Sequence, residues 1–323
     1  MLQKLEQYIF YFFLFAIPFQ TRKILYYPGW LFSEWQAVSL YLTDIILMML
    51  LIFWWFSFSS HGGKFLISKS EILNKFKISK SKLRNPDFYL LLFVVISAIS
   101  IKNSSAFYLS FYSLLKLIEF VIFYFYIKTY ALNRFDRLHS LLALIFGGLF
   151  QSAIAIVQFF RQQDFGLWFL GESTLNTDIR GIASFLSSSG EKIIRAYGTT
   201  PHPNVLAGYL LLSIFAFYTV YGGFKKKFTS LIFHIPASAI YGVILFGFFF
   251  TFSRAVIAVW GILFIVSMAF TFKYKKEYAK RAGEILIMTV IFSALFLLAY
   301  WPEVSSRLKL STNDEAYRMR VFY

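Results

Sequence analysis

The chain is a succession of long apolar runs separated by short polar stretches, and that alternation decides most of what it can become. Crossing the hydrocarbon core of a bilayer takes about 20 mostly apolar residues in a helix. Nine runs meet or approach that length: 5–19, 36–58, 87–101, 107–127, 139–160, 204–222, 229–250, 255–272 and 283–300. No internal repeat relates them, and their spacing leaves no room for a separate soluble domain. Forty-two phenylalanines among 323 residues, with only 15% of residues charged, are more than one aqueous core of this size can hide; a soluble domain carries about 25% charged residues. The sequence predicts an all-α polytopic membrane protein of about nine transmembrane helices, with residues 1–323 as a single transmembrane domain. The run from Tyr8 to Phe19 is followed by no small-residue cleavage site, so it reads as a first span and not as a signal peptide.

A net charge of +16 would point to nucleic acid in a soluble protein. Here the cations sit in short loops between apolar runs, so topology explains them and no nucleic-acid partner is expected. Cytoplasmic loops carry the excess of Lys and Arg. With the N-terminus cytoplasmic, the inner segments 1–4, 59–86, 128–138, 223–228 and 273–282 hold nineteen of the 32 Lys and Arg. The outer segments 20–35, 102–106, 161–203, 251–254 and 301–323 hold twelve, and Lys116 lies within a span. The densest clusters, Lys225-Lys-Lys227 and Lys273-Tyr-Lys-Lys276, fall inside. The chemistry then belongs to the outer face, in the 161–203 loop, the 251–254 turn and the 301–323 segment. On that face ATP and nucleotide sugars are not expected as direct substrates. There is no cysteine, and His61, His139, His202 and His234 have no metal-ligand spacing, so neither metal nor cofactor is expected.

Two polar pieces stand out on that face. The first is Arg195-Ala-Tyr-Gly-Thr-Thr-Pro-His-Pro-Asn-Val-Leu-Ala-Gly-Tyr209, which runs straight into an apolar run. A residue before proline is pushed away from helical geometry, and proline suits a first helical turn. Thr200 and His202 are therefore expected to be extended, with a helix beginning at Pro203. Its free N–H groups and positive dipole end form an anion seat near His202 and Asn204, with Arg195 close by. Alternatively, the segment is ordinary helix-start punctuation and His202 only caps the turn. The second piece is Thr251-Phe-Ser-Arg-Ala255, a lone arginine between apolar runs. Such an arginine needs a partner or water. It either snorkels to the interface or holds a guanidinium at a cavity mouth, where its fork suits phosphate.

Other ionisable residues read more plainly. Lys116 and Glu119, at i and i+3 in the fourth span, are expected to pair. Asp44 is open, a candidate to answer an arginine from another helix. The loop of about forty residues holding Glu172 and the Ser-rich 184–190 piece is long enough to be functional or partly re-entrant. Arg318 and Arg320 are either further anion contacts or a solvated helix face. The last residues, Arg318-Met-Arg-Val-Phe-Tyr323, read like the start of a helix, and the chain reads as a fragment of a longer protein.

Taken in order, Gln158-Phe-Phe-Arg-Gln162, Leu170-Gly-Glu172, the Arg195–Gly208 piece and Phe250-Thr-Phe-Ser-Arg-Ala255 resemble the O-antigen ligase and polymerase superfamily of bacterial envelope proteins. Asp314-Glu-Ala-Tyr-Arg318 is similar to the start of that family's large extracytoplasmic loop, so 301–323 would open it. The likeness covers roughly residues 150–323; the first 150 agree only in their pattern of spans. It implies a GT-C-like helical bundle in the bacterial cytoplasmic membrane. The family transfers a glycan from an undecaprenyl-diphosphate-linked donor to a lipid or glycan acceptor on the outer face, without metal. On this resemblance Arg195 and Arg254 are the catalytic residues, gripping the donor diphosphate. His202 and Asn204 shape the pocket, Arg318 contributes to substrate binding, and the general base lies beyond residue 323. A rival from another class is a transporter or flippase of an anionic lipid-linked substrate, using the same arginines without bond cleavage; missing repeats and the large external loop weigh against it. A third is a catalytically silent membrane partner.

Overall fold

Backbone polar groups in hydrocarbon find partners only within their own segment, so apolar runs of span length become helices. The computed structural model describes residues 2–27, 29, 36–60, 86–179, 181–187, 189–223 and 231–308. Its helices are α1 (Leu2–Ala16), α2 (Leu42–Ser60), α3 (Pro86–Ser100), α4 (Phe107–Tyr126), α5 (Arg137–Arg161), α6 (Pro203–Gly223), α7 (Leu231–Phe250), α8 (Arg254–Tyr274), α9 (Ala279–Ala299) and the short α10 (Trp301–Leu308). A π turn, Ile127–Ala131, carries α4 on toward Arg134. Six helical segments among the described residues are long and apolar enough to cross a membrane: Pro86–Asn103, Phe107–Arg134, Arg137–Arg161, Pro203–Gly223, Arg254–Tyr274 and Lys276–Ala299. Leu42–Phe56 and His234–Phe250 are apolar but shorter. The architecture is that of a helical, multi-pass membrane protein.

Two antiparallel hairpins qualify the all-α expectation. Strands β1 (Arg22–Tyr26) and β2 (Val38–Tyr41) pair with a register shift between Ile24 and Tyr26. Strands β3 (Ser184–Leu186) and β4 (Lys192–Ile194) pair inside the 161–203 loop. The run 36–58 therefore opens as a strand and turns helical only at Leu42.

By its contacts the chain divides into two compact units, residues 1–13 with 22–136, and residues 14–21 with 137–323. In the first unit Lys116 joins two carboxylates: it contacts Asp44 of α2 directly and Glu119 at 3.1 Å. The expected Lys116–Glu119 pair is present, and Asp44 answers a lysine, not an arginine. Asp44 also accepts the Tyr41 N–H at 2.9 Å, which ties the end of β2 to α2. The sequence does not single out Glu6, buried on α1, which accepts the Tyr130 hydroxyl at 2.9 Å.

The second unit is built around α5, α6 and α7, with α8 and α9 packed beside them. Small residues let these helices approach closely, the usual device where lipid supplies no hydrophobic contrast between helices. A Cβ on Gly148 of α5 would fall 2.4 Å from the Ser213 Cβ of α6. At that crossing the Ser213 hydroxyl donates to the Leu144 carbonyl at 2.9 Å. Toward one end an aromatic floor forms: Phe250 stacks on Phe159 with centroids 4.2 Å apart and touches Tyr300 and Phe296 at 4.9 and 5.2 Å. The site described next lies over that floor.

Candidate functional site

Helix α6 begins at Pro203, where the sequence predicts it. His202 is its N-cap. The imidazole Nδ1 accepts the Asn204 N–H at 3.1 Å, satisfying one of the donors that a helix start leaves open. Accepting there requires the neutral tautomer with the proton on Nε2. Burial first, and the nearby Arg195 charge second, push the His202 imidazole below its ordinary range, which favours that neutral form.

The loop before α6 is held by two glutamines of α5, an otherwise apolar helix. Gln158 Oε1 accepts the N–H groups of Tyr197 and Gly198 at 3.0 and 2.7 Å. Its Nε2 donates to the Gly198 carbonyl at 2.9 Å and to Glu172 Oε1 at 2.7 Å. Both donors and both lone pairs of the amide are thereby used. Gln151 does the same work one step on, accepting Thr199 N–H at 2.9 Å and donating to the Thr199 hydroxyl at 2.8 Å. Gly198 sits at φ +59°, and a Cβ there would meet Gln151 Oε1 at 2.4 Å, so only glycine fits. Glu172 is buried and also accepts from Phe165 N and Leu167 N at 2.7 and 2.6 Å. It organises the loop from beneath.

Arg195 is 5% exposed. Its Nε donates to the Thr251 carbonyl at 2.6 Å and its Nη2 to Asn204 Oδ1 at 2.7 Å. That oxygen also accepts the Ser253 hydroxyl at 2.9 Å, and Ala196 N donates to the Phe250 carbonyl at 3.0 Å. The two polar pieces that stand out in the sequence are thus bound to one another, with Asn204 as the bridge. The Ser253 side chain makes no capping bond to α8.

Arg254 opens α8 at that uncapped N-terminus and is half-buried. Its Nη1 donates to the Arg307 carbonyl at 3.3 Å. Arg254 and Arg307 are the charged lining of a cavity of about 420 Å³ whose walls include Phe249, Phe252, Trp260 and Phe296. Arg195, His202 and Asn204 do not line it. Their hydrogen bonds end at Thr251 and Ser253, the residues just before Arg254 in the chain, so the two guanidiniums do not share one wall. Arg318 and the 309–323 stretch lie outside the described residues.

On the sequence alone Gln151 and Arg307 have no role, and Gln158 enters only as part of a motif that carries the resemblance. A signal existed for the glutamines: they are seven residues apart on an apolar helix, hence on one face. Among the described residues no group of His, Asp and Glu side chains is arranged to hold a metal ion. An apolar cavity rimmed by guanidiniums at a helix N-terminus suits an amphiphile with an anionic head. In comparisons with known proteins, no family model matches the chain, and neither a curated protein nor a solved structure matches it significantly.

Proposed function

We propose that this chain is a metal-independent envelope glycosyltransferase of the O-antigen ligase or polymerase type, working in the bacterial cytoplasmic membrane. In this reading it has nine spans and a cytoplasmic N-terminus, and its active face is extracytoplasmic. The donor is a glycan on undecaprenyl diphosphate, and the acceptor is a lipid or glycan hydroxyl.

The observation that carries the reading is the Arg254–Arg307 cavity, apolar in its walls and cationic at its rim, at the uncapped start of α8. In the reaction the acceptor hydroxyl gives its proton to a general base as its oxygen bonds to the anomeric carbon. The bond from that carbon to the diphosphate oxygen breaks, and the diphosphate leaves with the electron pair. Charge grows on the leaving group, and preorganised guanidiniums aimed there lower the barrier by several kcal/mol. Arg254 is assigned to the diphosphate directly. Arg195 acts as a positioning residue through Asn204 and Ser253. These residues supply the leaving-group half of the reaction.

The test is glycan transfer by protein reconstituted in vesicles with a lipid-diphosphate-linked donor. Arg254→Ala is expected to lower transfer about 100-fold. Arg254→Lys should recover little, because an ammonium cannot form the bidentate fork. Transfer unchanged in either variant refutes the assignment. Movement of the donor between leaflets without any transfer would favour the transporter.

A further inference from the structure

The second unit carries another cavity at the opposite end of its helices, where α6 and α8 finish and α9 begins. Its volume is about 450 Å³. Phe215, Met268 and Ile285 make much of its wall apolar, and Phe270, which also lines it, is 54% exposed. Lys275 and Tyr278, from the turn between α8 and α9, form the rim. The hydroxyls of Thr219, Ser267 and Thr271 also line it, and each donates its proton back to its own helix, at 2.9, 2.8 and 2.8 Å. They bring no charge to the lining.

The charge around that rim is one-sided. Lys273 at the end of α8, Lys275 and Lys276 on the turn and Lys280 at the start of α9 are exposed, and Glu277 is the turn's carboxylate. Tyr274 and Tyr278 are exposed beside them, at 61% and 43%, as aromatics at a membrane–water boundary are. A slot with an apolar floor, an exposed aromatic flank and a cationic lip fits a molecule with an acyl chain and an anionic head. We infer that the α6–α8–α9 cleft is a binding site for one anionic phospholipid, its acyl chain between the helices and its phosphate at Lys275. Basic residues at the membrane surface attract anionic lipids; Lys275 lines this cleft, and Lys273, Lys276 and Lys280 are exposed near it in sequence. The inference is independent of the glycosyltransferase reading, because it concerns other residues and is read out by lipid binding.

The experiment uses the full chain in neutral detergent, with retained lipid counted by native mass spectrometry. The probes are dioleoyl phosphatidylglycerol, dioleoyl phosphatidylcholine and soluble glycerol phosphate. The wild type should keep one phosphatidylglycerol with about tenfold preference over phosphatidylcholine. Glycerol phosphate should not bind at matched concentration. Gly222→Leu fills the cleft; a Cβ there meets nothing within 4 Å, so the variant is expected to fold while losing the retained lipid. Lys275→Gln should bring the two lipids to within about twofold of each other. Equal retention of both lipids by the wild type, or an unchanged preference in Lys275→Gln, overturns the inference. So does lipid retained by a folded Gly222→Leu, or glycerol phosphate binding as well as phosphatidylglycerol.

Discussion

Arg195 donates from Nε to the carbonyl of Thr251 at 2.6 Å, which fixes the turn before α8 against the loop before α6. The same side chain holds Asn204 from Nη2, so one buried guanidinium clamps both polar pieces. This fork geometry is out of reach of lysine. Arg195→Ala is expected to cost about 2–4 kcal/mol of stability, because the carbonyl and the amide oxygen lose a charged donor. Arg195→Lys should recover less than half of that. Unfolding in detergent micelles measures both, and a lysine variant as stable as the wild type would contradict the clamp.

His202 should make the loop sensitive to acid. Its imidazole is pushed below the ordinary value of 6.5, chiefly by burial, so the folded state resists its protonation. The contribution of the neutral cap is then fully present above about pH 6.5. It declines as pH falls from there toward the depressed value. His202→Asn keeps an acceptor for the Asn204 N–H without a titrating group. The variant should lose the part of the decline in melting temperature between pH 7 and 5 that His202 causes. Identical slopes in the two proteins would exclude this role.

Gln158 is expected to be among the least replaceable polar residues of α5. Gln158→Leu strands the N–H groups of Tyr197 and Gly198 and removes a donor from Glu172, for a loss of about 3 kcal/mol or more. Gln158→Glu sets a second carboxylate where an amide now donates to Glu172 at 2.7 Å. Like charges at that separation hold one proton between them. The Glu variant should therefore gain stability relative to the wild type as pH falls from 7 to 5. A variant that is no better off at pH 5 would speak against the pairing.

Gly148 marks the closest approach of α5 and α6. Gly148→Ala forces its new methyl against Ser213 and should cost about 1–3 kcal/mol. Ser213→Gly in the same chain should return part of that, although it also deletes the hydroxyl bond to Leu144. A double variant no more stable than Gly148→Ala would mean that the clash lies elsewhere.

Six span-length helices were legible because a bilayer imposes a one-dimensional rule: an apolar stretch of sufficient length must satisfy its own backbone as a helix. The start of α6 at Pro203 was legible for the same local reason, since proline and the residue before it restrict their own dihedrals. The two hairpins were not. Strands of three to five residues carry little periodicity, and Val38–Tyr41 is apolar enough to pass as part of a span.

The sequence by itself determined a helical membrane protein with two unusual polar pieces, because composition and local sterics act residue by residue. Only the tertiary structure decided that Asn204 bridges Arg195 to Ser253, that Lys116 takes Asp44 as well as Glu119, and that Arg254 turns toward an apolar cavity beside Arg307. Ser253 lies 49 residues from Asn204, and Arg307 lies 53 from Arg254; only helix packing selects partners so distant. An arginine between apolar runs announces that it needs a partner; the fold alone supplies one.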